Sequence, residues 1–461
     1  MYEEIYVMAN AVKRHKKTSF ENYTFQALAA LELLMSFTFL GYIHIEPISI
    51  TIAYIPIIIA GCLLGVREAT FIGFLFGLSS MYKASASYVM SVDMMFSPFH
   101  SGEPLRSLIL SVGVRTLYGF LIGAAFELAR RSRFNTFGRI VIAALATKLQ
   151  AVLVYTAMDI MFPQLGYSFR DALGLGFKDL LIALFCVLIT EGCYRLYNSR
   201  LVNKYRYCID KAVKNPYMTS KVNLIFFIFE IFIFIMTVAA TVYFSQRTSY
   251  MLERHGLVLS TNVNNDLLHL QVQFMIAAIT LNYFAVLLLM CIYRYMSYRE
   301  YVGELDALTE IMGRRMFMQY CSRQLSENPE SVWFLFIDVD YFKSINDTYG
   351  HPTGDKVLKG IAIRLKNLLS EYGMVGRVGG DEFAAFLDRD ISKEELGRRL
   401  DGFLADIADI LEGTDTRVSC SIGARQFMSP DDVNVLMLDT DKALYRAKEQ
   451  GRACYVIEVE R

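Results

Sequence analysis

Residues 374–387 read MVGRVGGDEFAAFL. Two short apolar runs face each other across Gly379 and Gly380, and a double glycine between strand-forming residues predicts a β-hairpin with a tight turn. Asp381 and Glu382 follow the glycines at once, so their carboxylates stand at the mouth of the second strand. Upstream, SVWFLFIDVD (331–340) is a continuous apolar run closed by Asp338 and Asp340, the pattern of a strand buried on both faces. If the two strands are neighbours, their carboxylates converge on one point. Hard oxygen donors at such a point suit Mg²⁺, which keeps some waters and binds through one or two carboxylates plus a phosphate-bearing substrate.

Working outward, VLKGIAIRLKNLL (357–369) has helical spacing, and a second helix is expected near 393–411. A strand RVSCSIGA (417–424), a helix NVLMLDTDKALYRAKEQG (434–451) and a closing strand CYVIEV (454–459) follow. Helices alternating with strands around a central hairpin predict an α/β domain, one antiparallel-containing sheet with flanking helices. Lys448 and Arg452 lie four apart at a helix end and share a face, a placement suited to neutralising a triphosphate. The glycine turn lets a backbone approach a nucleotide without side-chain clash. Each feature alone is ordinary: a Gly-Gly turn, a polar strand end, a basic helix end. Their order in one segment is not.

The rest of the chain has a different character. The 461 residues carry 46 basic and 46 acidic side chains and are 54% hydrophobic, above the roughly 45–50% usual for soluble proteins. Residues 306–461 hold 20 basic and 27 acidic groups, leaving 26 and 19 for residues 1–305. A greasy, basic front and a polar, acidic back exclude a disordered or nucleic-acid-binding chain and predict a membrane protein with a soluble tail.

Apolar runs of about 20 residues predict eight transmembrane helices, near 24–44, 47–65, 69–84, 106–129, 138–161, 173–194, 222–245 and 271–293. Basic residues crowd alternate loops (Arg67; Arg130, Arg131, Arg133 and Arg139; Arg195 to Lys221), which puts both termini in the cytoplasm. The basic stretch Lys13, Arg14, Lys16 and Lys17 lacks a small-residue cleavage site after it, so no cleaved signal peptide is expected. None of the eight cysteines falls in an outer loop, which predicts reduced, structural thiols. The expected organisation is an all-α polytopic six-span sensor or ligand-binding region (1–200), two added helices with an outer loop from Ser245 to Leu270 (201–293), a helical connector (294–305) and the α/β domain (306–461).

Ionisable residues inside spans are functional candidates, because burying them in lipid is costly. Here they are Glu32, Arg115, Glu127, Lys148, Asp159, Lys178, Asp179, Glu191 and Glu230. The plainer reading of Lys178, Asp179 and Lys148 is ion pairing that holds the bundle. The outer loop from Asp93 to His100 has the Met and aromatic content of a lid, or of a solvated loop that tolerates apolar residues.

RVGGDEFAAFL, DALTEIMGRR (306–315), DVDYFKSINDTYGHPTGDKVL (338–358) and DKALYRAKEQGR (441–452) together resemble the GGDEF family of diguanylate cyclases. Glu310 and Gly313 replace a usual Gly and Asn. The resemblance implies a palm-like fold and the condensation of two GTP to cyclic di-GMP by a homodimer, one GTP per domain. It implies that Asp338, the Val339 carbonyl and Asp381 hold two Mg²⁺, with Mn²⁺ as the alternative ion. Asn346 and Asp355 would read guanine; Phe342, Lys343, Lys448 and Arg452 would contact phosphates; His351 would lie beside the pocket. Gly379 and Gly380 would line the nucleotide, and Asp381 or Glu382 would help deprotonate the attacking 3′-hydroxyl. The family's product-inhibition motif, Arg-x-x-Asp, is missing: Ser370 and Gly373 occupy its two positions.

Residues 24–198, with ITIAYIPIIIAGCLLGVREATFIGFLFGLSS (50–80) at their heart, resemble the substrate-binding S components of energy-coupling-factor vitamin transporters. That implies a small-molecule ligand taken from the outer side. The first span lacks a clean Ala-xxx-Ala pair, since Ala27, Ala29 and Ala30 are mis-spaced for it, which puts transport itself in doubt. The expected function is a multi-pass bacterial inner-membrane diguanylate cyclase under transmembrane control, with GTP and the lipid bilayer as partners and no nucleic acid. The alternatives are a GGDEF receptor that binds nucleotide without turnover, and a vitamin-transporter-like binding subunit with a regulatory cyclase attached.

Overall fold

The computed structural model describes residues 18–459 apart from 46–47, 88, 90–91, 133–134, 175, 215, 258, 328, 413–415 and 431, with backbone alone at 42–50 and 216–222. The basic stretch from Lys13 to Lys17, Arg133 and the Lys221 side chain lie outside what is described. The chain divides into two units, Met1–Tyr298 and Arg299–Arg461.

In the first unit, Thr18 opens helix α1 (Ser19–Phe37) by a capping box with Glu21. The chain then forms an antiparallel hairpin, β1 (Tyr42–Ile45) with β2 (Ile48–Thr51), before α2 (Ile55–Leu63) and α3 (Val66–Lys83). The expected all-α region is thus interrupted by a two-stranded sheet. Isoleucines 43, 45, 48 and 50 alternate with other residues, a period of two that hydropathy averaging over a long window erases. With nine residues, α2 reaches only about 14 Å at 1.5 Å per residue, half the thickness of a bilayer core.

The remaining long helices are α4 (Pro104–Arg131), α5 (Asn135–Met161), α6 (Phe177–Tyr197), α7 (Arg200–Lys214), α8 (Pro216–Arg254) and α9 (Thr261–Glu304). Among the described residues, five segments are long and apolar enough to cross a membrane: α4, α5, α6, Asn223–Arg254 of α8, and α9. The expected outer loop from Ser245 to Leu270 is mostly helix, because α8 runs on to Arg254 and α9 starts at Thr261. Polar residues ended the apolar runs there without ending the helices. Small residues let α3 and α4 pack closely. A Cβ on Gly73 would lie 2.5 Å from the Arg115 carbonyl oxygen, and one on Gly119 would lie 2.3 Å from that of Ala69.

Most ionisable candidates of this unit are engaged within it. Lys148 pairs with Asp179 at 3.0 Å, while Lys178, the residue before Asp179, is exposed. Arg139, read from sequence as a loop cation, lies inside α5, 5% exposed, and meets Glu191 at 3.2 Å with its guanidinium 3.6 Å from the Tyr194 ring centroid. Buried Arg115 donates to the carbonyls of Leu110 (3.0 Å) and Ser111 (3.1 Å). Glu32, also buried, accepts from the Ser36 hydroxyl at 2.9 Å. Glu127 meets Arg131 at 3.3 Å. Asp159 is exposed and Glu230 half-buried. In the loop from Asp93 to His100, Phe96 is buried beneath the Arg115 guanidinium (4.9 Å) and Phe99 is exposed.

The second unit is built on a six-stranded mixed sheet in the order β3-β5-β6-β4-β7-β8. Its strands are β3 (Met312–Gly313), β4 (Ser331–Val339), β5 (Gly373–Arg377), β6 (Glu382–Leu387), β7 (Cys420–Met428) and β8 (Tyr455–Val459). Its helices are α10 (Arg314–Leu325), α11 (Phe342–Tyr349), α12 (His351–Leu369), α13 (Lys393–Ile407) and α14 (Val433–Glu449). Central β4 is antiparallel to both β6 and β7. Its odd-numbered residues Trp333, Leu335 and Ile337 join the core under α12 and α13, while Val332, Phe334 and Phe336 join the core under α10 and α14. Helices therefore cover both faces, which is why this strand is apolar without alternation.

Candidate active site

The expected hairpin is present: β5 and β6 pair antiparallel, Arg377 opposite Phe383. A Cβ on Gly379 would lie 2.3 Å from Glu382 Oε2, so a side chain there would displace that carboxylate. Arg377 braces the turn by donating to the Gly380 carbonyl (3.1 Å) and pairing with Asp306 at 2.9 Å. The Val339 N–H donates to the Asp381 carbonyl (3.2 Å), so pairing between β4 and β6 runs to the end of the strand and sets Asp338 opposite Glu382. The strands are neighbours, as the convergence of carboxylates requires.

Asp338 and Asp340 have opposite surroundings. Asp340 is 3% exposed and saturated: Ser419 Oγ (2.7 Å), Ser421 Oγ (2.6 Å) and the Ala453 N–H (3.0 Å) all donate to its carboxylate. It ties β7 and the segment before β8 to the end of β4. Asp338 has one strong partner, Lys448 Nζ at 2.9 Å. Burial pushes the Asp338 carboxyl above the ordinary range; Lys448 pulls it down, and the neighbouring Asp381 and Asp340 push it up. Negative charge is thus crowded beyond what one ammonium neutralises. Among the described residues no group of three or more His, Cys, Asp and Glu forms an all-protein metal cage. The fit to Mg²⁺ is that of a cation shared between two carboxylates, a backbone carbonyl and a phosphate-bearing ligand.

Lys448 and Arg452 do not share a helix face as the sequence suggested. Helix α14 ends at Glu449, Gly451 has φ +111°, and Arg452 itself is left-handed (φ 67°). Arg452 therefore folds back, its guanidinium 4.9 Å from the Tyr341 ring centroid. Tyr341 is also left-handed (φ 54°) and starts α11, leaving the first-turn amides of Phe342 and Lys343 at the strand end. Phe342 is half-buried and Lys343 exposed. Asn346 lies on α11 against Gly354 of α12, where a Cβ would fall 2.0 Å from Asn346 Oδ1. His351 and Asp355 are exposed on the first turns of α12.

Sequence reading missed the structural role of Asp340, the left-handed Tyr341, the space Gly354 leaves for Asn346, and the brace from Asp306 to Arg377. Their signal was present only as fixed spacing within the quoted motifs. Arg364 is held by Asp406 at 2.8 Å, as Arg377 is by Asp306.

A family model described as "Diguanylate cyclase, GGDEF domain" matches residues 304–454, and one described as "ECF transporter, substrate-specific component" matches residues 27–199. Among curated proteins, the diguanylate cyclase TpbB of Pseudomonas aeruginosa is 38% identical over 154 residues, 32% of this chain and 35% of that one. The diguanylate cyclase DosC of Escherichia coli is 36% identical over 163 residues, 33% of this chain and 35% of that one. The matches span about a third of each relative's length. A solved GGDEF domain of the P. aeruginosa protein TpbB aligns at 34% identity and TM-score 0.30, over 34% of this chain and 94% of that one. The chain carries a GGDEF domain at residues 304–454, in a chain whose residues 27–199 match the substrate-specific component of ECF transporters.

Proposed function

We propose that the protein is a membrane-bound diguanylate cyclase that condenses two GTP into cyclic di-GMP under the control of its transmembrane half. The observation that carries this reading is the meeting of Asp338, Asp381 and Glu382 at one sheet end with Lys448 among them. In this reading Asp338, the Val339 carbonyl and Asp381 hold Mg²⁺ on the triphosphate. When bound, the metal ions neutralise developing charge and lower the pKa of the attacking hydroxyl. Lys448, Arg452 and the amides at the start of α11 take the phosphates. Asn346, its orientation fixed by contact with Gly354, and Asp355 accept and donate at the guanine edge. Glu382 or Asp381 receives the proton of the 3′-hydroxyl as it attacks the partner's α-phosphate in line, and pyrophosphate leaves. Because each domain presents one such site, turnover needs two chains face to face.

Residues 1–200, which hold three of the five segments long and apolar enough to cross a membrane among the described residues, are read as a sensor for a small molecule from the outer side, and α9, the helix that runs to Glu304, as the connector. Multi-pass insertion with both termini cytoplasmic belongs to the same proposal. The test is incubation of the purified full chain with GTP and Mg²⁺, with nucleotides separated by chromatography. Magnesium-dependent cyclic di-GMP supports the reading; GTP that binds without being consumed would assign the domain to nucleotide reception.

A further inference from the structure

Helix α7 (Arg200–Lys214) separates the span α6, which ends at Tyr197, from α8, whose apolar stretch begins at Asn223. With a span on either side, both ends of α7 lie at the same bilayer surface, so the helix runs within reach of the headgroup layer. One side of it is packed. Cys208, Ile209 and Ala212 are buried, and the Arg206 guanidinium lies 4.3 Å from the Tyr197 ring centroid. Tyr205 rests on Tyr295 of α9 (4.2 Å), whereas Tyr207, exposed and nearly opposite it around the helix, meets Tyr298 edge-on (6.1 Å). The helix's single carboxylate, Asp210, is taken up by the N–H of Phe20 at 3.0 Å.

The remaining basic residues, Arg200, Lys204, Lys211 and Lys214, are all exposed. At 3.6 residues per turn they fall within an arc of about 80°. Four cations in one stripe, with no acid among them, match the charge of the surface on which the helix must lie. Orienting membrane-spanning segments requires only that basic residues be on this side; it does not require them to share a face, nor Asp210 to be drawn off it.

We infer that this face of α7 is a binding surface for anionic phospholipid headgroups of the bilayer. The lipid phosphate and the four side chains meet as charge-assisted contacts at the interface, while the alkyl stems of the lysines extend toward the acyl boundary. The inference goes beyond cyclase activity and does not depend on it. It uses only the membrane-spanning character of α6 and α8.

The test reconstitutes the full chain in phosphatidylcholine vesicles and measures, by electron spin resonance, the relative association of spin-labelled phosphatidylglycerol and phosphatidylcholine. The wild type is expected to prefer phosphatidylglycerol. Replacing Arg200, Lys204, Lys211 and Lys214 together by Gln lowers that preference by roughly five-fold or more. The pair Lys204→Gln and Lys211→Gln, which leaves Arg195 and Arg206 to hold topology, lowers it by less. Exchanging Arg200→Lys and the three lysines for Arg keeps it. A preference that survives the four-fold Gln replacement overturns the inference. So does one that the charge-keeping exchange abolishes equally, or one that soluble glycerol 3-phosphate erases at constant ionic strength.

Discussion

The two halves of the chain use charge in opposite ways. In the membrane half, Arg139 closes on Glu191, Lys148 on Asp179, and Arg115 on two backbone carbonyls. In the GGDEF half, the end of β4 gathers carboxylates whose strongest cation partner is Lys448. Asp338 and Asp340 show the contrast within two residues: the second is satisfied by three donors, the first is not. An ionisable residue in an unusual place is therefore weak grounds for chemistry until its partners are counted. A partnered charge holds the architecture, and an under-neutralised cluster awaits a ligand.

Removing one partner of a buried pair should have the largest effect on stability. Arg139→Ala strips a buried guanidinium from Glu191, Asn135 and the Tyr194 ring, leaving Glu191 with exposed Arg195 (3.1 Å) alone, and should cost about 3 kcal/mol, read as a lower melting temperature of the full chain in detergent. Unchanged melting would show that the pair is not structural and would blur the contrast between the halves. Within the GGDEF unit, Asp340→Ala orphans three donors and should cost about 3 kcal/mol, whereas Asp338→Asn should leave melting unchanged or raised. The raised carboxyl of Asp338 fixes the sign: stability from a raised group is present at low pH and lost as pH rises through its folded value, so its charge opposes folding at neutral pH.

A smaller gain is expected at Glu310, a non-glycine residue at φ 58°. Glu310→Gly removes a left-handed penalty of about 1 kcal/mol, visible as a shift of the urea midpoint. The smallest expected effect is none at all. With Ser370 and Gly373 in place of the Arg-x-x-Asp pair, initial rates at saturating GTP should stay flat as cyclic di-GMP is added. A plateau of inhibition that excess GTP cannot relieve would reveal a second product site.

What the sequence made legible follows the same division. The hairpin at 374–387, the acids flanking it and the helices around it were readable because turn glycines, strand ends and helical spacing are local signals. The geometry around Asp340, Tyr341 and Arg452 was not, since left-handed residues and donors from a distant strand leave no periodic trace. In the membrane half, hydropathy measures apolar length and not secondary structure. It therefore divided the hairpin at Tyr42–Thr51 between two spans and cut α8 short of Arg254. Arg139 read as a loop cation because its partner Glu191 lies 52 residues away.

The central claim is that the carboxylates left under-neutralised at the strand end perform the chemistry. Its most direct test is the rate of cyclic di-GMP formation from GTP and Mg²⁺ by the Asp381→Asn full chain beside the wild type. The account predicts a loss of at least about 10²-fold, as for removal of one charge-stabilising group from a transition state, in a protein whose melting temperature is unchanged. Near-normal turnover by the folded variant would contradict it.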